Sequence, residues 1–274
     1  GIFIRTSGIL LPISSLPSPH GIGSLGEEAF HFIDFLKSAG QRCWQILPIG
    51  PTGCGDSPYQ SFSAFAANPY LIDLELLAEQ GLLTDGEISS GRFGGDPRSV
   101  DYGALFQGRI PLLSRAARRL SPDGGPFGAF CEENADWLDD YALFMALKEE
   151  NGMAPLCDWP APLRLRDRGA LEAARSRLPD RVRLWKALQY LFFSQWGALA
   201  SRAHRNGIEI IGDIPIYVSP DSSDLWTHPE LFQVDGGLRP TEVAGCPPDA
   251  FSPTGQLWGN PLYDWDRMER DGYA

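Results

Sequence analysis

The sequence has no Cys-x-x-Cys pair, no Walker loop, no Gly-x-Ser-x-Gly elbow and no His-Glu-x-x-His helix. These absences remove a zinc knuckle and the commonest readings as phosphotransferase, serine hydrolase or metalloprotease. Its five cysteines (Cys43, Cys54, Cys131, Cys157 and Cys246) are odd in number and scattered, which argues against a disulfide framework and predicts reduced thiols in the cytoplasm. The four histidines (His20, His31, His204 and His228) have no helical pair spacing, so no metal is expected. No run approaches the roughly 20 apolar residues that a bilayer span needs. The start, with Arg5 alone before an apolar run broken by Pro12, predicts no signal peptide. Basic residues are outnumbered 23 to 35, for a formal charge of -12. Phosphate backbones and anionic membranes would be repelled, so neither nucleic acid nor membrane is an expected partner. An uncharged or cationic ligand is.

What is present points the same way. Over 274 residues, 43% apolar composition fills a sizeable core. Eight Trp and eight Tyr supply flat apolar faces with polar handles, which suit ligands that are half apolar and half hydroxylated. Sugars are such ligands.

Along the chain, Ile9-Leu10-Leu11 reads as a buried strand leading into a Pro/Ser-rich loop, 12–20. Ser24 with Glu27 three residues on has the form of a capping box, and Ala29, Phe32, Ile33 and Leu36 then recur at helical spacing until Gly40. Cys43 to Leu47 reads as a second strand, parallel to the first by the right-handed crossover rule. A long helix marked by Trp185, Leu188, Phe192, Trp196 and Leu199 ends at Asn206-Gly207. The apolar run Ile208 to Ile211 after it predicts a third strand, capped by Gly212-Asp213. The class is α/β. Between the second and third strands, residues 75–183 read as an inserted, mainly helical subdomain with an amphipathic helix on Leu138, Tyr141, Ala142 and Met145.

Two motifs are weighed and set aside. Gly21-Ile22-Gly23-Ser24-Leu25-Gly26 has the dinucleotide-fingerprint spacing, but Pro12 to His20 separates strand from glycines and the second strand ends in Leu47-Pro48-Ile49-Gly50 without an acid. A nicotinamide cofactor needs both features, so no cofactor is expected. The arginines at 164, 166, 168, 175, 177, 181 and 183 are diluted by Asp167, Glu172 and Asp180 and read as a solvated face.

Chemistry at strand ends remains, on the loop 50–68, at Asp213 and on the segment 245–263. The loop carries Gly55-Asp56-Ser57-Pro58-Tyr59-Gln60-Ser61-Phe62-Ser63-Ala64-Phe65-Ala66 and Asn68-Pro69-Tyr70-Leu71-Ile72. The other two carry Gly212-Asp213-Ile214-Pro215-Ile216-Tyr217-Val218 and Gly255-Gln256-Leu257-Trp258-Gly259-Asn260-Pro261-Leu262-Tyr263. In order and over nearly the whole chain, these strings resemble the amylomaltase, or disproportionating-enzyme, family of the α-amylase clan.

The resemblance implies a (β/α)8 TIM barrel with an inserted subdomain, of which this chain supplies about the first three β/α units. Residues 1–74 would begin the barrel with a substrate loop, 75–183 form the insert, and 184–274 continue the barrel. It implies 4-α-glucanotransferase activity on maltooligosaccharides and starch- or glycogen-derived α-1,4-glucans, by retaining double displacement. Such chemistry needs two carboxyl groups about 5 Å apart. In the family the nucleophilic Asp and acid/base Glu come after the fourth strand, so both are expected beyond Ala274 and residues 1–274 alone are expected to be inactive. The resemblance offers Asp213 as a hydrogen-bonding carboxylate for the sugar beside the scissile bond, Tyr59 as the ring stacked on that sugar and Trp258 as an acceptor-side platform. Ser57, Gly259 and Asn260 would shape the pocket. Some relatives have an aromatic at the position of Cys54, forming a secondary glucan site with a Tyr resembling Tyr102; Cys54 departs from that pattern. A glucan-binding module without catalysis and a nicotinamide enzyme are the competing classes, and an α-glucan hydrolase is the alternative within the enzyme class.

Overall fold

Three of the apolar runs become three strands held in one parallel sheet. In the computed structural model, which describes residues 5–53, 56–121 and 124–273, the main elements are β1 (Gly8–Leu10), α1 (Glu27–Ser38), β2 (Cys43–Gln45), α2 (Leu74–Glu79), α3 (Tyr102–Arg119), α4 (Ala135–Glu150), α5 (Pro179–Arg205), β3 (Glu209–Ile211), β4 (Val243–Cys246) and β5 (Gln256–Pro261). The chain divides into two compact units, one formed by 1–49, 67–133 and 186–214, the other by 50–66, 134–185 and 215–274. The segment 75–183 is thus shared between them, and α5 continues across the boundary.

In the first unit the sheet order is β1-β2-β3, with Ile9 opposite Trp44 and Trp44 opposite Ile210. Trp44 is fully buried, donates from Nε1 to Leu11 O at 2.8 Å and meets Phe32 of α1 edge-on at 4.9 Å. Ala29, Ile33 and Leu36 bury the inner face of α1. That helix ends as its sequence predicts: Gly40 has φ +69°, its amide bonds Lys37 O and the Gln41 amide bonds Leu36 O. Left-handed backbone of this kind suits glycine.

The start of α1 corrects the capping-box reading. Gly26, not Ser24, is the N-cap, and no side chain caps the helix there. Ser24 instead donates its hydroxyl to Asp73 Oδ2 at 2.6 Å, while Asp73 Oδ1 accepts the Leu76 amide and caps α2. A buried carboxylate must collect donors, and this one claims the serine.

Two glutamines of α5 fix the segment that follows the substrate loop. Gln189 accepts the Ala67 amide and donates to the Ala67 carbonyl, at 2.7 and 2.9 Å. Gln195 treats Asp73 likewise, at 2.7 and 3.0 Å. Each amide imitates a neighbouring strand and satisfies backbone groups that would otherwise be buried unpaired. Arg109 of α3, fully buried, donates to the carbonyls of His20 and Ile72. Desolvation lowers its pKa to about 10, against the pull of Asp73.

The second unit has an aromatic core. Phe144 of α4 packs on Trp159 and Trp226, with centroids 5.2 and 5.8 Å away, and those two indoles donate to the carbonyls of Ala154 and Leu163. Residues 141–148 of α4 are buried without interruption, so the expected single apolar face is replaced by a helix enclosed on all sides. Enclosure extends to a charge: Lys148, 1% exposed, donates to Asp221 Oδ2 at 2.6 Å and to Ala154 O at 2.9 Å, with its ammonium 5.0 Å from the centre of the Phe62 ring. The arginine tract runs alongside. Arg177 pairs with Glu150, Arg181 with Glu149, and Arg166 with Asp140. β4 and β5 form an antiparallel ribbon with a register shift between Val243 and Gly245.

Candidate functional site

Within the second unit, a cavity of about 440 Å³ is lined by Ser57, Tyr59, Gln60, Pro215, Ile216, Tyr217, Gln256, Trp258 and Asn260. Three short segments build it. The first is the loop 50–66, pinched shut by the Thr52–Ser61 bridge and by the Gly53 amide on Gln60 O. Inside that loop Asp56 takes a positive φ, Ser57 O accepts the Gln60 amide, and Ser57 Oγ accepts the Tyr59 amide at 3.3 Å. The turn leaves the Tyr59 ring 44% exposed. The turn thus presents an aromatic face to the cavity.

The second segment is β5. Gln256, Trp258 and Asn260 are alternate residues, and strand alternation sends all three to the cavity. Trp258 Nε1 donates to Gln256 Oε1 at 3.0 Å, which sets the indole plane. Gly259 has φ +79° and bends the strand between its two lining neighbours.

The third segment, 215–217, supplies Tyr217, whose ring lies 6.4 Å from Trp258 and stacks at 5.8 Å on Tyr263. Tyr263 in turn donates its hydroxyl to Ile216 O at 2.9 Å. Burial, with help from Asp224 and Tyr217, pushes its pKa up and keeps it a neutral donor. Beneath the rings, Asn260 donates to Val218 O at 2.8 Å and accepts from Gln60 Nε2 at 2.9 Å. The result is a hollow with aromatic walls and amide groups on its floor, the arrangement that orients a hydroxylated ring.

Four of the six expected residues, Ser57, Tyr59, Trp258 and Asn260, therefore line one cavity, and Gly259 shapes it from within β5. Asp213 belongs to the first unit, two residues past the end of β3, and is not among the lining residues. Gln60, Tyr217 and Gln256 were not singled out from the sequence. The alternation Gln256, Trp258, Asn260 was the available signal for the last of them. Cys54 lies outside the described residues; Tyr102 opens α3 with its ring 6.1 Å from that of Tyr70.

The glycine motif has a packing explanation. A Cβ at Gly21 would fall 2.1 Å from Phe93 O, at Gly23 2.0 Å from Ile13 O, and at Gly26 2.1 Å from Asp73 Oδ2. The chain approaches itself at all three places. Among the described residues no helix is long and apolar enough to cross a membrane.

The sequence profile of the 4-alpha-glucanotransferase family matches residues 11–274. The chain belongs to that family. Among its relatives, the 4-alpha-glucanotransferase of Thermus thermophilus is 53% identical over 277 aligned residues, covering 98% of this chain and 54% of that one. The 4-alpha-glucanotransferase of Streptococcus pneumoniae is 50% identical over 272, with the same coverage. A solved structure of amylomaltase from Streptococcus agalactiae in complex with acarbose superposes with a TM-score of 0.94 at 43% identity, covering 98% of this chain and 55% of that one. The fold of this 4-alpha-glucanotransferase family member is α/β, and the chain spans about half the length of the relatives it matches.

Proposed function

We propose that the cavity of Tyr59 and Trp258 holds glucosyl units of α-1,4-glucans, and that residues 1–274 carry part of the substrate-binding surface of a cytoplasmic 4-α-glucanotransferase. The observation that carries this reading is the meeting of Ser57, Tyr59, Trp258 and Asn260 on one cavity of about 440 Å³. Its substrates would be maltooligosaccharides and starch- or glycogen-derived chains.

Each role follows from chemistry. Tyr59 offers its exposed face to the apolar side of a sugar ring, and Trp258 offers a second platform where an acceptor would lie. Ser57 and Asn260 shape the polar floor, and Gly259 lets β5 bend around it. Asp213 is assigned as a carboxylate that hydrogen-bonds a glucosyl unit. Retaining transfer passes the glucosyl group to a nucleophilic carboxylate and then to another sugar, with a second carboxyl group acting as acid and then base; both are expected outside residues 1–274. The three parallel strands would be the first of an eight-stranded barrel. Among the described residues Cys43, Cys157 and Cys246 are in no disulfide, which supports a reducing compartment.

The test is titration of the protein with maltotriose, followed by calorimetry and product analysis. Tyr59→Ala and Trp258→Ala should each weaken binding by about tenfold, the equivalent of one ring–ligand contact. Binding unaffected by both variants would refute the reading. In the product analysis, glucose with longer chains means transfer, glucose with maltose means hydrolysis, and unchanged maltotriose, the outcome expected for residues 1–274 alone, means binding without turnover.

A further inference from the structure

The loop that presents Tyr59 presents a second ring a few residues later. Ser63 Oγ accepts the amides of Phe65 and Ala66 at 3.0 and 3.1 Å, and Asp224 Oδ2 accepts the amide of Ala64 at 2.9 Å. This locked turn leaves Phe65 61% exposed. Its ring stacks on Trp137 of α4 at 6.2 Å and 20°, and the indole is fixed by Nε1 donating to Asn134 Oδ1 at 3.2 Å. Burying such a ring would be favourable, yet the turn holds it out.

The pair lines a cavity of about 810 Å³ in the same unit, whose other lining residues include Asp224, Thr227 and His228. Desolvation raises the pKa of Asp224, although the Ala64 amide and His228 act against it. Of the other acids lining it, Asp140 is paired with Arg166 and Arg175, Asp271 with Arg267, Glu230 meets His228, and Asp136 lies in the first turn of α4. The cavity therefore sets hydrogen-bonding groups, most of them already partnered, beside a flat apolar platform. That combination fits a polyhydroxylated ring.

We propose that the cavity between the Phe65–Trp137 ring pair and Asp224 is a second glucosyl-binding site. The choice of an α-glucan as its ligand rests on the function proposed above. The two cavities are built from successive stretches of the same two segments: Ser57 to Gln60 and Pro215 to Tyr217 line the first, Ser63 to Phe65 and Val218 the second. A longer glucan held at Phe65 would steady the loop that carries Tyr59.

Calorimetric titration with maltotriose tests this, using the wild type, Phe65→Ser, Phe65→Tyr and Trp258→Ala, each checked for an unchanged thermal unfolding midpoint. Two binding events are expected in the wild type. Trp258→Ala should weaken one of them by about tenfold and leave the other unchanged, Phe65→Ser should weaken that other one by about tenfold, and Phe65→Tyr, which keeps the ring, should preserve it. If Trp258→Ala weakens all binding alike, or Phe65→Ser changes nothing, the second site is refuted while the first reading stands. If only Phe65→Ser weakens binding, the second site stands and the role of Trp258 falls. Wild-type protein that binds no maltotriose overturns both, and tetramethylammonium binding at Phe65 in place of maltotriose overturns the choice of ligand.

Discussion

Gln60 and Asn260 hold one another by both ends of their amides: Gln60 Nε2 lies 2.9 Å from Asn260 Oδ1, and Asn260 Nδ2 lies 3.4 Å from Gln60 Oε1. They are 200 residues apart in sequence, yet this pair ties the Tyr59 loop to the Trp258 strand.

Asn260 is 4% exposed and also donates to Val218 O. Asn260→Leu should leave Val218 O without its side-chain donor and Gln60 with only its long bond to Trp258 O, at 3.4 Å, at a cost of about 1–3 kcal/mol, read by urea denaturation. Maltotriose affinity should fall with it. A variant as stable as the wild type would show that the pair holds nothing in place.

Glu87 should make stability depend on pH. Its carboxylate pairs with Arg119 through two bonds of 2.7 and 2.8 Å and accepts the Thr84 amide. Chiefly through Arg119, these hold its pKa down from 4.5 to about 2. A group depressed in the folded state stabilises above its unfolded pKa, and that stabilisation disappears as pH falls through the folded value. The stability difference between wild type and Glu87→Gln should therefore be full at pH 6 and shrink from about pH 4.5 toward pH 2. A difference that stays constant across that range would contradict the assignment.

The Lys148–Asp221 pair should be costly to break and cheaper to remove. Lys148→Met leaves Asp221 without its buried partner, for an expected loss of about 3 kcal/mol or more. In Lys148→Met with Asp221→Asn, no lone charge remains and the Asn side chain still accepts the Leu156 amide now bound to Oδ1. Part of the loss should return, measured as denaturation midpoints of the three proteins.

Gly23→Ala should destabilise by about 1–3 kcal/mol through overpacking, because the added methyl would meet the backbone at Ile13 O. Thermal unfolding checks this. An unchanged midpoint would mean that the loop yields easily.

The parts of this structure legible in sequence are those fixed by neighbours along the chain. The apolar face of α1, the stop at Gly40 and the parallel order of β1, β2 and β3 depend on residue spacing and on one chirality rule. The parts that misled depend on distant partners. Ser24 sits where a cap belongs, but its acceptor, Asp73, comes 49 residues later. Nothing in the local sequence marks Gln189 and Gln195, whose partners Ala67 and Asp73 lie 122 residues away. Nor does it mark the burial of Lys148, whose partner Asp221 comes 73 residues later. The site shows the same division: long motifs pointed to Tyr59 and Trp258, whereas Gln60 and Tyr217 became visible only once three segments met.

The side-to-side rhythm of β5 also limits how this hollow can change. Gln256, Trp258 and Asn260 reach it because they are two positions apart, so inserting or deleting a single residue there would turn Leu257 inward and all three outward. Ligand preference along this wall can drift by substitution, but a change of one residue in its length should erase it at a stroke.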